Sequence, residues 1–585
     1  MTTRENPNPQ KAYLIKGDIS GIQGFIFNVK SSGAARSLKG RSFFLKILLE
    51  VGMRLVFDQC QPTNSRDDAE ISTSGGNFIL KLEGDNIIQK ISEIQAILTE
   101  SLQYIGLDMM LCAVPFTGDF SEDKKQLNQA VRERKLQLLE GGDAKAFFEP
   151  FSKQEIKKVY GRKEKENEDD KEYNNWTDIT TALKENEYWE IENNNKSEED
   201  YHLQIQIIKK KYIKIHLCGY TVSFTNSTQG IDIIKPNDNP ADIDVEKINR
   251  FKLKNHLESV FPVQDYNVRQ IKEFKDLSGK FGGTRGIDKL GVLAMDVDNL
   301  GNTIEGITDE GKHKRFDAEL RYFFNNELRT IIENEPTLKE QLRNRNERSD
   351  KYYELHYSNK VYTVTAGGDD TFFVGKWNTM LDLAIEIHNS FKRFKKYLEK
   401  ENILKDSSAL TISAALLIVH PSFPVVRFAE MAEDALKNAK RKYPDSRGNI
   451  SIFGEVVKWE VLENQINEIR EVLQPFKQLR SGKKVIDRDI QKAISGGLLA
   501  RVRFNTLKAL DDSGMRLSQY WELAYFMRNY GGNGQAILKK YRKYLDIELN
   551  DKEKNMSEDY KKLKKRSHKL IFPIAARLAE LDNRK

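Results

Sequence analysis

Two glycines followed by two aspartates, AGGDDTFFVG at 366–375, separate two β-prone runs, and few folds accept that arrangement. Glycine supplies the positive φ angles of a tight hairpin, which leaves Asp369 and Asp370 at its tip with backbone approach to phosphates open. Adjacent carboxylates repel unless a cation lies between them, so a purely structural hairpin rarely carries them. Upstream, GVLAMDVDNLG at 291–301 is an apolar run that ends on Asp296, Asp298 and Asn299 before Gly301. A strand entering a core finishes in acids where they face a cleft or a metal. A calcium loop is the rival reading, but the glutamate expected later in its twelve-residue pattern is missing.

The surrounding order is strand GVLAMDVD, helix KRFDAELRYFFNNELRTII, strand pair VYTVTAGGDDTFFVG, helix LDLAIEIHNSFKRFKKYL and strand ALTISAALLIV. Helix VVRFAEMAEDALKNAK and strand NISIFG follow. This βαββαβ sequence predicts a ferredoxin-like palm over 263–456. In a palm the end of the first strand lies beside the central hairpin, so Asp296, Asp369 and Asp370 can share two divalent ions, as two-metal nucleotidyl transfer requires. Oxygen ligands select Mg²⁺ or Mn²⁺. Lys440, at the end of its helix, is placed to reach a β- or γ-phosphate as a point charge, with a solvated helix terminus as the alternative.

A chain of 585 residues is too long for one core. A first α/β block, within 1–120, opens on AYLIKGDI, continues into RSFFLKILLEVGMRLVFD and reaches a further strand at NFILKL. It echoes the later block loosely. Residues 121–262 turn to charged, asparagine-rich text and read as a helical or mixed insert. From 457 to 585 amphipathic segments read as a C-terminal helical bundle. The fold class is therefore α+β. No run approaches the roughly 20 apolar residues of a membrane span, and the N-terminal text has no signal-peptide pattern. The expectation is a cytoplasmic protein with no membrane partner. Three distant cysteines make neither a disulfide framework nor a four-thiolate zinc site. The net charge of +7 decides nothing about partners.

Five motifs stand in order: GDISGIQGFIF at 17–27, ARSLKGRSFFL at 35–45, DVDNLG at 296–301, AGGDD at 366–370 and FAEMAEDALKNAK at 428–440. In this the chain resembles the large polymerase/cyclase-like subunit of type III CRISPR effector complexes. The resemblance implies two facing palm domains that hold ATP between them, the second carrying the metal-binding acids. It implicates Asp296, Asp369 and Asp370 in catalysis and Asp296, Val297, Asp369 and Asp370 as metal positions. Asn299, Gly367, Gly368 and Lys440 are implied as nucleotide-binding positions.

The first palm's hairpin reads SGGNF, so Gly75, Gly76 and Asn77 stand where acids would be. By the same resemblance this palm should bind nucleotide without catalysing transfer. Asp18, Ser20 and Gln23 would line the acceptor pocket, with a turn stabilised by Asp18 as the alternative. Many members of the family begin with a His-Asp nuclease, whereas this chain starts its palm by about residue 11 and contains no His-Asp dipeptide. DNA cleavage is therefore expected to be absent.

The implied reaction is attack of a 3′-hydroxyl of one ATP on the α-phosphate of another, building a cyclic oligoadenylate when target RNA binds. Alternatives are joining AMP to S-adenosylmethionine, a silent scaffold that holds guide RNA, and a stand-alone cyclase. Implied partners are the other complex subunits, guide RNA and target RNA. Basic helices with Lys483, Lys484, Arg488, Arg501 and Arg503 offer RNA contacts or plain solvated faces.

Overall fold

The computed structural model describes residues 11–29, 33–102, 105–140, 175–193, 203–209, 212–225, 250–253, 256, 273–278, 287–333, 357, 360–367, 370–473, several positions between 500 and 542, and 551–583. Strands β1 (Ala12–Ser20), β2 (Glu70–Ser74), β3 (Asn77–Glu83) and β4 (Asp108–Pro115) form one sheet in the order β2-β3-β1-β4. Helix Ala34–Cys60 joins β1 to β2 and helix Ile87–Leu102 joins β3 to β4, giving the βαββαβ palm. Alternation along β1 explains its two faces. Ile15 and Ile19 pack with Phe43, Leu48, Ile91 and Leu98. Leu14 points the other way, under Phe120, Leu127 and Val131 of helix Phe120–Glu140. That helix starts where the charged insert was expected to begin, and it covers the open face of the first sheet.

Five strands follow in the middle of the chain: β5 (Tyr188–Asn193), β6 (Gln204–Lys209), β7 (Tyr212–Leu217), β8 (Tyr220–Thr225) and β9 (Arg250–Lys252). They pair antiparallel in the order β6-β7-β8-β5-β9. Helix Asn175–Glu185 ties this sheet to the first palm by crossing helix Ala34–Cys60 at Gly40. A Cβ at Gly40 would lie 1.8 Å from the carbonyl oxygen of Trp176, so only glycine permits this approach.

The second palm repeats the first. Strands β10 (Leu290–Asp298), β11 (Val361–Gly367), β12 (Asp370–Lys376) and β13 (Thr411–Val419) lie in the order β11-β12-β10-β13. The hairpin β14 (Asn449–Ile452) and β15 (Glu455–Lys458) extends the sheet. Leu293, Met295, Val297 and Phe373 face the palm's own helices, Glu310–Tyr322 and Trp377–Lys400. Val292, Ala294, Phe372 and Val374 face the opposite way and share a continuous core with the first palm. Phe27 meets Phe372 there with ring centroids 4.7 Å apart. Burying side chains of this size contributes roughly 1.5–3 kcal/mol each, enough to make the palm–palm joint part of the fold.

Helix Trp459–Leu473 packs with helix Glu558–Asn583, which also lies against β15, where Ser567 Oγ accepts from the Lys458 amide at 2.9 Å. Of the basic residues considered for RNA contact, Lys483, Lys484, Arg488 and Arg501 lie outside the described residues. Arg503 pairs with Glu580 at 3.1 Å. Among the described residues no helix is long and apolar enough to cross a membrane.

Candidate functional site

Asp296 stands directly opposite Asp370 in the β10–β12 register, and opposite Ser413 across β13. Residues opposed in this way have Cβ atoms about 5 Å apart on one face, where like charges destabilise unless something neutralises them. Period-two alternation puts Asp296 and Asp298 on the face that carries Ala294, which is the side turned toward the first palm. Gly367 pairs with Asp370 across the hairpin, while Gly368 and Asp369 lie outside the described residues. Val297 buries its side chain on the opposite face, so only its main-chain carbonyl is available to a cation.

The ammonium of Lys440 contacts Asp296 Oδ1 and lies 3.9 Å from Asp298 Oδ1. Asp298 is fully buried; its Oδ2 accepts from Thr411 Oγ1 at 2.8 Å, Ser413 Oγ at 2.7 Å and the Gly448 amide at 3.2 Å. Its Oδ1 takes no hydrogen bond. Asn299 has φ of 58° and starts helix Leu300–Gly306, a left-handed position that asparagine tolerates. Its side-chain amide donates to the Ala409 carbonyl at 2.9 Å, so it shapes the turn. An acid pair, an orphaned buried carboxylate oxygen and a nearby carbonyl fit a hard divalent cation. Among the described residues no group of three acidic, histidine or cysteine side chains could hold an ion by itself, so the described part of the set is the pair.

The first palm carries a muted copy. Asp18 is six positions into β1 (18 − 12), as Asp296 is into β10 (296 − 290). Asp18 stands opposite Asn77, the first residue of β3, as Asp370 is the first of β12. Ser20 matches Asp298, and Gly21, with φ of 82°, matches Asn299. Gly75 and Gly76 make the turn with φ of 62° and 77°. The Gly76 carbonyl accepts from the Ile19 amide at 2.9 Å, and a Cβ at Gly76 would lie 2.6 Å from Ile22 Cδ1. Gln23 is exposed on helix Ile22–Phe27 beside this turn.

Sequence reasoning missed three lysine and histidine positions that the structure brings forward. Lys135 contacts Asp18 at 3.1 Å and stands 15 residues into its helix (135 − 120), the offset of Lys440 in its own (440 − 425). Comparing the last strand–helix unit of each block could have found it. Lys124 is fully buried between the palms and donates to the carbonyls of Ile304 at 2.7 Å and Ile307 at 2.8 Å. Burial pushes it down to about 8. His313, edge-on to Phe120, is likewise pushed down to about 4 by burial. No local pattern announces either, because their partners lie more than a hundred residues away.

The second palm domain of Cas10/Cmr2 matches residues 289–450, and domain B of the Csm1 subunit matches residues 11–160. Curated relatives named CRISPR system single-strand-specific deoxyribonuclease Cas10/Csm1 (subtype III-A) include one from Methanocaldococcus jannaschii. It is 27% identical over 525 residues, covering 78% of this chain and 60% of the relative. One from Enterococcus italicus is 22% identical, covering 80% of this chain and 57% of the relative. The chain thus spans less than two thirds of these relatives' length. Among solved structures, a Csm1–Csm4 cassette in complex with AMPPNP aligns with a TM-score of 0.62 at 18% identity, covering 99% of this chain and 71% of that one. The cassette in complex with cA4 aligns with a TM-score of 0.61 at 17% identity, covering 98% and 70%. With both palm-bearing regions matched, and curated relatives that all carry one name, the chain belongs to the Cas10/Csm1 family of type III-A CRISPR systems.

Proposed function

We propose that the chain is the nucleotidyltransferase subunit of a type III CRISPR complex and converts ATP into a cyclic oligoadenylate when target RNA binds. The observation that carries this is the opposed Asp296–Asp370 pair on the face turned toward a second palm. Related Csm1–Csm4 structures that contain ATP, pppApA and cA3 support ATP as donor and an adenylate as product. Asp296, Asp370, the neighbouring Asp369 and the Val297 carbonyl would hold Mg²⁺ or Mn²⁺. When bound, the ions supply charge neutralisation for the triphosphate and a lowered pKa at the attacking hydroxyl.

The chain's own groups do the rest. Asp298, fixed by three donors, sets the end of β10 so that Asp296 stays opposite Asp370. Lys440 is within reach of a triphosphate bound over that pair. The first palm, with Asp18, Ser20, Gln23, Gly75, Gly76 and Asn77, positions the acceptor, its hairpin carrying no acids. The bond formed joins the acceptor 3′-oxygen to the donor α-phosphorus, and the bond broken releases pyrophosphate. Guide RNA and companion subunits are the partners in this reading, and a related Csm1–Csm4 subcomplex supports the companion subunits.

The test is to purify the assembled complex, add target RNA, Mn²⁺ and labelled ATP with and without S-adenosylmethionine, and identify products by mass. An ATP-derived adenylate is expected without S-adenosylmethionine. In Asp369→Ala/Asp370→Ala the rate should fall by about a thousandfold or more; product at the normal rate would remove the site assignment.

A further inference from the structure

Two ammonium groups occupy matching places in the fold, and only one of them lies on a carboxylate with a second acid directly opposite it across the β-hairpin side of the strand. Lys440 lies on Asp296, which has Asp370 opposite; Lys135 lies on Asp18, which has Asn77 opposite. A carboxylate oxygen serves an ammonium or a metal ion poorly at the same time, because two cations on one oxygen repel. The Lys440 and Asp296 side chains are each 22% exposed, so the pair opens on one side. Asp298 Oδ1, without a hydrogen bond and 3.9 Å from the ammonium, adds to the negative field that holds it.

We propose that Lys440 is an intramolecular competitor for the divalent cation: it neutralises Asp296 until a triphosphate draws the ammonium away, so that metal and nucleotide enter together. The proposal rests on the metal-site reading above. A triphosphate carries more negative charge than one carboxylate and offers several acceptor oxygens, so the ammonium leaves Asp296 only when that ligand arrives. Linkage makes the effect reciprocal, the nucleotide tightening the metal by the factor with which the metal tightens the nucleotide. In the first palm Asp18 faces an uncharged Asn77, so Lys135 has no metal pair to compete for and serves as the internal control.

The measurement is the nucleotide-free affinity of the purified full chain for Mn²⁺, read from the electron paramagnetic resonance of the free ion. Lys440→Met should bind Mn²⁺ about tenfold more tightly than wild type, and Lys440→Gln should do the same, so the result does not hang on one variant folding well. Lys440→Arg, which keeps the charge, and Lys135→Met should both match wild type. An affinity in both neutral Lys440 variants that is unchanged or weaker overturns the proposal, as does an equal gain in Lys135→Met. Asp296→Asn/Asp370→Asn separates the two readings. Loss of Mn²⁺ binding there beside unchanged Lys440→Met defeats the competitor alone, whereas retained binding defeats the metal site itself.

Discussion

Asp298 shows how far a single residue's role depends on distant partners. The motif DVDNLG presents Asp296 and Asp298 as equivalent acids, and period-two alternation puts them on one face. What separates them is Thr411, Ser413 and Gly448, more than a hundred residues on, which turn Asp298 into a buried anchor. Asp298→Ala should therefore cost about 2–4 kcal/mol in chemical denaturation, because it strands two hydroxyls and an amide in a buried place. His313 makes a second prediction at this scale. Its folded form is pushed down to about 4, against about 6.5 in the unfolded chain. As pH falls from 6.5 toward 4 the unfolded chain takes up a proton that the folded chain refuses, so stability falls through that window. Thermal midpoints of His313→Phe and wild type should diverge in the variant's favour as the pH is lowered across it.

At the scale of elements, the four strands of the second palm and β1 and β3 of the first were legible because their apolar residues alternate or run continuously and glycines mark the turns. Strands β2, β4 and β15 were not, and β15 shows why. Its EVVK runs straight into a helical pattern, and what frees it is the turn at Phe453 and Gly454, both at positive φ. Helix Phe120–Glu140 was read only as the start of a helical or mixed insert and not as part of the palm, since Phe120, Leu127 and Val131 are sparse apolar residues among charges. Gly40 offers the sharpest test of an element contact. Gly40→Ala must push helices Ala34–Cys60 and Asn175–Glu185 apart and should cost about 1–3 kcal/mol in denaturant unfolding. Gly24→Ala, with open space at its Cβ, should be close to neutral.

For the whole molecule, the contacts between palms matter as much as either palm. Lys124 reaches out of the first palm to hold the carbonyls that close helix Leu300–Gly306, directly after the end of β10 that carries Asp296 and Asp298. Thr73 donates its amide to Asp317 at 3.1 Å, and the Tyr362 hydroxyl donates to the Ala35 carbonyl at 2.5 Å. Lys124→Met should lower adenylate formation about tenfold to a hundredfold by misplacing the two nucleotides relative to each other. Mn²⁺ affinity should stay as in wild type, and hydrogen exchange should rise over Leu300–Gly306. A variant that lost metal binding as well would show that Lys124 supports β10 itself and not the palm–palm register.

Gly76, in the acid-free hairpin, carries an evolutionary consequence. Its φ of 77° disfavours any side chain, and Ile22 fills the space that a Cβ would need. Regaining a carboxylate at Gly76 itself takes at least two changes, one of them at Ile22. The step left open to a single substitution is Asn77→Asp, which would set two acids opposite each other as Asp296 and Asp370 are, so any return of an acid to this hairpin runs through its strand and not its turn.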